Sequence, residues 1–171
     1  MLKPIMNLLV NATLLLLICV FLSSANAHGL PEDRDKPIEM FSEDFSQDVA
    51  RGITSYIGNA KIIQGSLIIE AGRIDVFYED GEVVRVLAIG PPATFKDTPS
   101  SEVGEVYAQG NQVDYDLLTK LVVVTGEALF SNKGSEVSAN RIEFDLERGA
   151  ANASGGVRHV IQPPAQTPSE E

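Results

Sequence analysis

The sequence predicts an all-β protein, an open β-jellyroll or roll of stacked antiparallel strands built from internal repeats. Two observations support this fold class. Residues 113–117 alternate apolar side chains with aspartates, which is the period of two expected of a strand with one solvated face. A strand–turn–strand unit of similar composition then recurs along the chain, and the residues after Ala27 show no helical periodicity.

The repeat has a measurable spacing. Each copy contains a central apolar anchor, and successive anchors are separated by 29, 39 and 29 residues. The anchors are Phe45, Ile74, Val113 and Ile142. A glycine follows each anchor after 13, 16, 13 and 13 residues, and these glycines are Gly58, Gly90, Gly126 and Gly155. A self-similar period of about 20–50 residues is the mark of a stacked repeat architecture.

Short polar or glycine-containing segments predict the turns between strands. They occur at 71–72, 80–81, 118–120, 132–134 and 147–149. Gly90-Pro91-Pro92 predicts a bulge or an edge, because proline cannot donate to a strand ladder. The strand lengths fit a sandwich, a jelly roll or a stacked roll, and a stacked roll keeps two open edges because its first and last strands need not meet.

The first 27 residues have the features of a secretory signal peptide. A basic Lys3 precedes an apolar run at 14–22, and Ala25-Asn26-Ala27 provides a small-x-small cleavage site. We therefore expect cleavage after Ala27 and a periplasmic location.

The sequence disfavours two other interpretations of this segment. An uncleaved membrane anchor is disfavoured because the apolar run is shorter than the ~20 residues that a spanning helix needs. A lipoprotein is rejected because Ile18 stands before Cys19, where a small residue is required. Cleavage removes the sole cysteine, so no disulfide or cysteine metal site is expected.

The mature chain is predicted to contain three parts: a flexible lead-in at 28–36, a β domain at 37–162 and a disordered acidic tail at 163–171. Removing the signal peptide, whose one charged residue is Lys3, takes the formal net charge from −11 to −12. Such an acidic balance speaks against nucleic acid and against anionic membrane surfaces as electrostatic partners.

Several short motifs, in their order and spacing, resemble the OstA-like family over roughly residues 35–162. They are Pro37-Ile38, Tyr56-x-Gly58-Asn59-Ala60-x-Ile62-x-Gln64-Gly65, Gly90-x-Pro92-Ala93-Thr94-Phe95 and Val122-x-Val124-Thr125-Gly126-x-Ala128. The resemblance implies a β-jellyroll whose apolar interior holds the acyl chains of lipopolysaccharide. It also implies partners, an inner-membrane anchored relative and an outer-membrane barrel component with similar domains. The chain departs from the pattern at Glu127 and Gly156, which replace the asparagine that follows Gly58.

Strand parity selects the residues expected to line the interior and contact acyl chains, and for Ile38, Phe95, Tyr115 and Leu117 the match to inward family positions adds support. The full set is Ile38, Tyr56, Ile62, Ile74, Phe95, Tyr115, Leu117 and Phe130. Each buried methylene would contribute about 0.8 kcal/mol. The alternative for each residue is a core position that never touches lipid. Asp116 is expected to face solvent and to tolerate lysine.

The two edges are expected to pair with other chains, head to tail and through relatives of the same fold. The edge residues are Ile38, Met40 and Phe41 in the first strand and Val157, Val160 and Ile161 in the last. Val160→Pro is expected to remove a backbone donor from the C-terminal edge.

The chain is predicted not to be an enzyme and to use no cofactor or metal. His28 and His159 lie at opposite ends, and Asp75, Asp114 and Asp116 alternate in the manner of a solvated strand face. Two alternatives to lipid transport stay open. One is an envelope adaptor that polymerises through its edges without lipid, and the other is a lectin-like module with exposed tyrosines on glycan. Lipid that co-purifies with the protein would separate them.

Overall fold

The computed structural model describes residues 31–162, so the predicted signal peptide and acidic tail lie outside the described residues. A single helical turn precedes ten strands. The elements are α1 (Pro31–Arg34), β1 (Glu39–Phe41), β2 (Asp44–Asp48), β3 (Ile53–Gln64), β4 (Leu67–Glu79), β5 (Glu82–Asp97), β6 (Val106–Asp116), β7 (Leu121–Asn132), β8 (Ser135–Asp145), β9 (Ala150–Ser154) and β10 (Arg158–Ile161). Within this range, no helix has the length and apolar character needed to cross a membrane.

The strands form one antiparallel sheet that does not close on itself. Its order is β1-β3-β4-β5-β6-β7-β8-β10, with β2 also pairing with β3 and β9 also pairing with β8. Strands β3 to β8 pair consecutively, each with the strand before and after it in the chain. The predicted open roll of stacked antiparallel strands is therefore confirmed.

Each long strand bends at the same level of the sheet. The strand register shifts between Ile57 and Ala60 in β3 and between Thr125 and Ala128 in β7, and corresponding shifts occur in the ladders between them. We call this row of bends the corner. The repeated Gly58 and Gly126 lie there with φ of 81° and 73°, a region that favours glycine. The glycines found in the sequence repeat thus mark the bends.

The corner divides the roll into two layers. The first layer contains β1, β10 and the halves of the long strands that pair with them, such as 60–64 and 135–139. The second layer contains β2, β9 and the other halves, such as 53–57 and 141–145. Each edge of the sheet is consequently split between two short strands.

Aromatic side chains show that the two layers face each other. Phe95 pairs with Ala108 in the first layer, whereas Tyr115 pairs with Val86 in the second. Their rings nevertheless meet edge to face, with centroids 5.5 Å apart. The inward residues of both layers accordingly form one hydrophobic cluster, composed mainly of Ala, Val, Ile and Leu with four aromatic rings.

One local prediction is wrong, and one helical turn and one strand were not predicted. Ala71-Gly72 is not a turn, because β4 continues through it and bends at the corner. The chain also contains a helical turn, α1, in the segment expected to be a flexible lead-in. Strand β9 was missed because Ala150–Ser154 has only small and polar side chains and therefore no hydrophobic alternation.

The lead-in is bonded to the roll through α1. Arg34 forms an ion pair with Asp97, an inward-pointing carboxylate whose side chain is 0% exposed. The backbone N–H of Ser66 donates to Asp33 Oδ2 at 3.0 Å, and Gln64 donates to the carbonyl of Arg34 at 2.8 Å. A buried carboxylate needs a cation, and α1 provides it.

Candidate functional site

The interior of the roll is closed in its centre. We use the term closed middle for Ile69, Ile74, Phe95, Val113 and Tyr115, which come from β4, β5 and β6. Their exposed fractions are 0–2%. Because protein interiors pack as densely as organic crystals, this segment has no room for a ligand unless the layers move apart.

Burial sets the chemistry of the tyrosine in this segment. Burial raises the pKa of the Tyr115 phenol, the guanidinium of Arg34 opposes that shift, and the carboxylate of Asp97 adds to it. The phenol is therefore uncharged at neutral pH, and the closed middle presents a neutral surface. Burial likewise raises the pKa of Tyr56, with a further contribution from the neighbouring Tyr78.

The interior is open at the end formed by β8, β9 and β10. A cavity of ≈ 360 Å³ lies there, which we call the C-terminal cavity. The rings of Phe130 and Phe144 form its floor, with centroids 4.5 Å apart. Its lining consists of Phe130, Asn132, Ser135, Val137, Phe144, Gly149, Ala151, Ala153, Val157 and His159. The volume falls within the range of about 300–1,000 Å³ that is typical of ligand pockets.

The other end of the roll also presents apolar side chains to solvent. Ile38, Phe41 and Phe45 are 40%, 50% and 62% exposed, and the Phe45 ring lies 5.7 Å from that of Tyr56, centroid to centroid. Phe45 pairs with Tyr56, which packs against the core, so Phe45 faces inward, whereas Phe41 pairs with Lys61 and faces outward. Exposed apolar side chains therefore lie at both ends of the roll, and the apolar interior extends towards both.

Seven of the eight predicted lining residues belong to this interior. Five of them are buried in the core, namely Ile62, Ile74, Phe95, Tyr115 and Phe130. Tyr56 and Leu117 are half-buried and pack against it. Ile38 precedes β1 and is 40% exposed. Contact of any of these residues with lipid stays a prediction.

Sequence reasoning predicted one lining residue of the C-terminal cavity, Phe130, and missed the rest of the lining. One of these residues carried a usable signal, because Phe144 occupies the same place in its repeat, two residues after the anchor, as Tyr115 does. No sequence feature predicted Val137 and Ala153 as lining residues, because the hydrophobic alternation in their strands is weak. Val157 was predicted only as an edge residue.

The predicted edge residues differ in exposure. Phe41, Val157 and Ile161 are 50%, 54% and 72% exposed, whereas Met40 and Val160 are half-buried. The edge formed by β9 and β10 faces away from β8, and the edge formed by β1 and β2 faces away from β3. The contribution of β2 and β9 to these edges was not predicted.

The expected effect of Val160→Pro needs a correction. The N–H of Gln162 donates to the carbonyl of Gly134 at 3.0 Å, and the β10–β8 ladder has no register shift. N–H groups alternate in direction along a strand, so the N–H of Val160 also points towards β8. The donors on the open side of β10 belong to His159 and Ile161.

The acidic residues that alternate in the sequence have structural partners. Asp114 accepts two hydrogen bonds from Arg85, at 2.7 and 2.5 Å, and Asp75 accepts one from Ser55 at 2.6 Å. Asp116 accepts the backbone N–H groups of the β6–β7 turn at 2.9 and 2.8 Å. These bonds, chiefly that from Thr119, lower the pKa of Asp116. Asp116 is thus a turn cap, and the expected tolerance of lysine there overlooks this role.

The chain therefore belongs to the class of open two-layer β rolls with an apolar interior. Residues 40–150 match the family described as LptA/(LptD N-terminal domain) LPS transport protein. This match covers more than half of the chain, and the chain belongs to that family.

Individual relatives agree with this assignment. The lipopolysaccharide export system protein LptA of Haemophilus influenzae is 27% identical over 150 residues, covering 86% of this chain and 87% of the relative. The lipopolysaccharide export system protein LptH of Pseudomonas aeruginosa is 24% identical over 144 residues, covering 84% and 82%. The crystal structure of LptH from P. aeruginosa matches with a TM-score of 0.72 at 23% identity, over 78% of this chain and 100% of that one, which supports the fold.

Proposed function

We propose that this protein carries lipopolysaccharide across the periplasm by sheltering the acyl chains of lipid A inside the roll. The observation that carries the proposal is a single apolar interior that extends towards both open ends of the sheet. Each methylene moved from water into this interior would contribute about 0.8 kcal/mol. The lipopolysaccharide export relatives and the family support the same substrate. The role requires binding and release but no catalytic step.

The two regions of the interior would take part in different ways. The C-terminal cavity already has the volume of a ligand pocket, so an alkyl chain can enter it without rearrangement. The closed middle would have to open, and an all-antiparallel roll with free edges can do so by widening at the side opposite the corner. Acyl chains would therefore engage the C-terminal cavity before they reach Phe95 and Tyr115.

We further propose that copies and relatives join head to tail through their edges. The strands at the two ends differ, so such a contact is heterologous and extends until a different partner caps it. Edge-to-edge pairing would bring Val157 and Ile161 of one chain towards Ile38 and Phe45 of the next, since these exposed apolar residues lie at opposite ends. The result would be one apolar path between inner-membrane and outer-membrane components of outer-membrane assembly.

The test is direct binding of purified mature protein to lipopolysaccharide, followed by native mass spectrometry. We expect a complex whose lipid is protected from detergent extraction, and we expect Val157→Asp, which places a charge at the exposed mouth of the C-terminal cavity, to weaken it. Ser138→Asp is the matched control, because it introduces the same charge on the outer face of β8, opposite Arg158. A wild-type protein that retains no lipopolysaccharide would refute the proposal.

A second candidate function is an envelope adaptor that polymerises through its edges without carrying lipid. The closed middle favours the adaptor function, because its residues are 0–2% exposed and already pack against one another without lipid. The adaptor predicts concentration-dependent assembly together with an absence of lipid binding. The two candidates are therefore separated by the same mass spectrum.

A further inference from the structure

The C-terminal cavity has one polar side, formed by a serine and a histidine. Ser135 Oγ and His159 Nε2 are hydrogen-bonded at 2.7 Å, and both residues line the cavity. His159 lies opposite Val137 in the β10–β8 ladder, so its ring shares the inward face of β10. An imidazole and a hydroxyl thus stand beside a pocket whose other side chains are apolar except for the amide of Asn132.

The surroundings of this pair determine what it can bind. The other residues that line the cavity, from β7, β8, β9 and the segments next to them, are apolar or carry uncharged polar groups, and none has a titratable side chain. The charged neighbours in the ladder, Glu136 and Arg158, lie opposite Val160 and Ser138 and so belong to the outer face. A positive charge on the ring would therefore have no carboxylate partner within the described lining of the cavity.

From this geometry we propose that Ser135 and His159 form a headgroup subsite for an anionic amphipath whose alkyl chain fills the C-terminal cavity. The inference rests on the proposed function and adds to it the end of the roll at which the anionic group is held. Two sources share the required chemistry, a lipid A phosphate and a free single-chain amphipath. The Ser135 hydroxyl and the ring would together contact the anion, while Phe130 and Phe144 contact the chain.

Histidine makes the subsite dependent on pH. The charge of a histidine side chain ordinarily changes between about pH 5 and 8, and an imidazolium attracts an anion more strongly than an uncharged ring does. Within residues 31–162, His159 is the one histidine. Ion pairs open to solvent are weak, and we therefore expect a change in affinity of about two- to fivefold rather than an all-or-none switch.

The experiment uses the mature chain and two soluble probes below their micellar concentrations. Decanesulfonate is a permanent anion, and decyl maltoside is its uncharged counterpart. Calorimetric titrations are run at about pH 5.5 and about pH 8, on either side of the ordinary histidine titration. We expect decanesulfonate to bind about two- to fivefold more tightly at the lower pH, and decyl maltoside to bind equally at both.

Variants at neighbouring positions assign the effect. His159→Gln should abolish the pH dependence, and His159→Lys should bind decanesulfonate at both pH values as tightly as the wild type does at the lower one. Arg158→Gln is the matched control, since it removes a cation from the outer face one residue away and should leave the pH dependence intact. A histidine-ring NMR signal that shifts on addition of decanesulfonate locates the probe.

The outcomes separate this inference from the proposed function. If the wild type binds lipopolysaccharide but binds decanesulfonate equally at both pH values, or not at all, the subsite is refuted and the carrier function stands. Retention of the pH dependence in His159→Gln, or its loss in Arg158→Gln, refutes the subsite as well. If the pH dependence and the variant effects are as expected and free lipopolysaccharide displaces decanesulfonate, the subsite is assigned to lipid A. If the same effects are found but lipopolysaccharide does not displace decanesulfonate, the subsite is assigned to single-chain amphipaths.

Discussion

The closed middle and the C-terminal end come from the same repeat but differ in packing. Tyr115 stands between Val86 and Val122 of the two neighbouring strands. Its counterpart Phe144 stands between Val122 and Ala151. Replacing one branched neighbour by alanine on a short terminal strand leaves the space that becomes the C-terminal cavity. The comparison shows that a residue's place in the stack decides whether it seals the interior or lines an opening.

The largest contrast is expected from a charge introduced into each region. Tyr115→Asp should prevent folding, because an unpaired carboxylate in the closed middle costs several kcal/mol. Val157→Asp should fold normally, since Val157 is 54% exposed at the mouth of the cavity, while alkyl binding is weakened. Circular dichroism on both variants checks this, with Tyr115→Phe as the control for loss of the hydroxyl alone. Similar melting curves for the two aspartate variants would show that the middle is not closed.

The ion pair between Arg34 and Asp97 lies near the closed middle, since both charges act on Tyr115, and it should show the next largest effect. Arg34→Ala would leave the fully buried Asp97 without its cation, and we expect a loss of about 3 kcal/mol, the lower end for buried pairs because Arg34 is partly in water. Urea denaturation measures the loss. The double variant Arg34→Ala/Asp97→Asn should recover much of it, and a double variant less stable than the single one would contradict the assignment.

The turns that follow β6 and β8 allow a matched comparison of the two regions. Asp116 caps the first turn, and Asp145 caps the second through the N–H groups of Glu147 and Arg148, at 3.0 and 2.9 Å. Asp116→Lys should cost about 1–2 kcal/mol, the value of hydrogen bonds to a partly exposed charged group. Asp145→Lys should cost less, because its turn joins the short terminal strand β9. Equal losses in urea denaturation would remove the distinction between the regions.

The cap at Asp116 also predicts a dependence on pH. Its pKa is lowered in the folded protein, so its contribution to stability is complete above the ordinary aspartate value of about 3.9 and is lost as pH falls through the lowered pKa. Urea denaturation of the wild type and of Asp116→Asn between neutral and acidic pH measures this contribution. The variant should show the smaller decline at acidic pH.

The smallest effect on stability is expected from closing the cavity. Ala151→Leu supplies the branched neighbour that Phe144 lacks and should change the free energy of unfolding by no more than about 1 kcal/mol. It should nevertheless reduce the binding of an alkyl probe strongly, because it fills the space that the probe needs. Asn152→Leu, one residue away on the other face of β9, is the control. Unchanged probe binding in Ala151→Leu would place the alkyl site elsewhere.

The sequence predicted the features that depend on periodicity. The parity of Tyr115 and Asp116 and the recurrence of Gly58 and Gly126 follow from local pattern, and the structure places Tyr115 in the core and both glycines at the corner. The misreading of Ala71-Gly72 has a physical cause, since a bend inside a strand and a turn between strands favour the same small residues.

Features that depend on distant partners could not be predicted. Arg34 and Asp97 are separated by 63 residues, and nothing in the sequence around either residue indicates that the two form an ion pair. The direction of the Val160 N–H depends on the β10–β8 register, which the alternation of side chains does not specify. The C-terminal cavity forms because Phe144 lacks a branched neighbour on one side. A pattern of residues in the sequence does not reveal where such an unfilled space will form.

Photo-crosslinking from two consecutive positions of β8 shows whether lipopolysaccharide occupies the interior of the roll. A photoreactive side chain at Phe144 points into the C-terminal cavity, whereas one at Glu143 points to the outer face of the same strand. Transport through the interior of the roll predicts a lipopolysaccharide adduct from position 144 and little or none from position 143. Adducts of equal yield at both positions, or a stronger one at 143, would contradict transport through the interior of the roll.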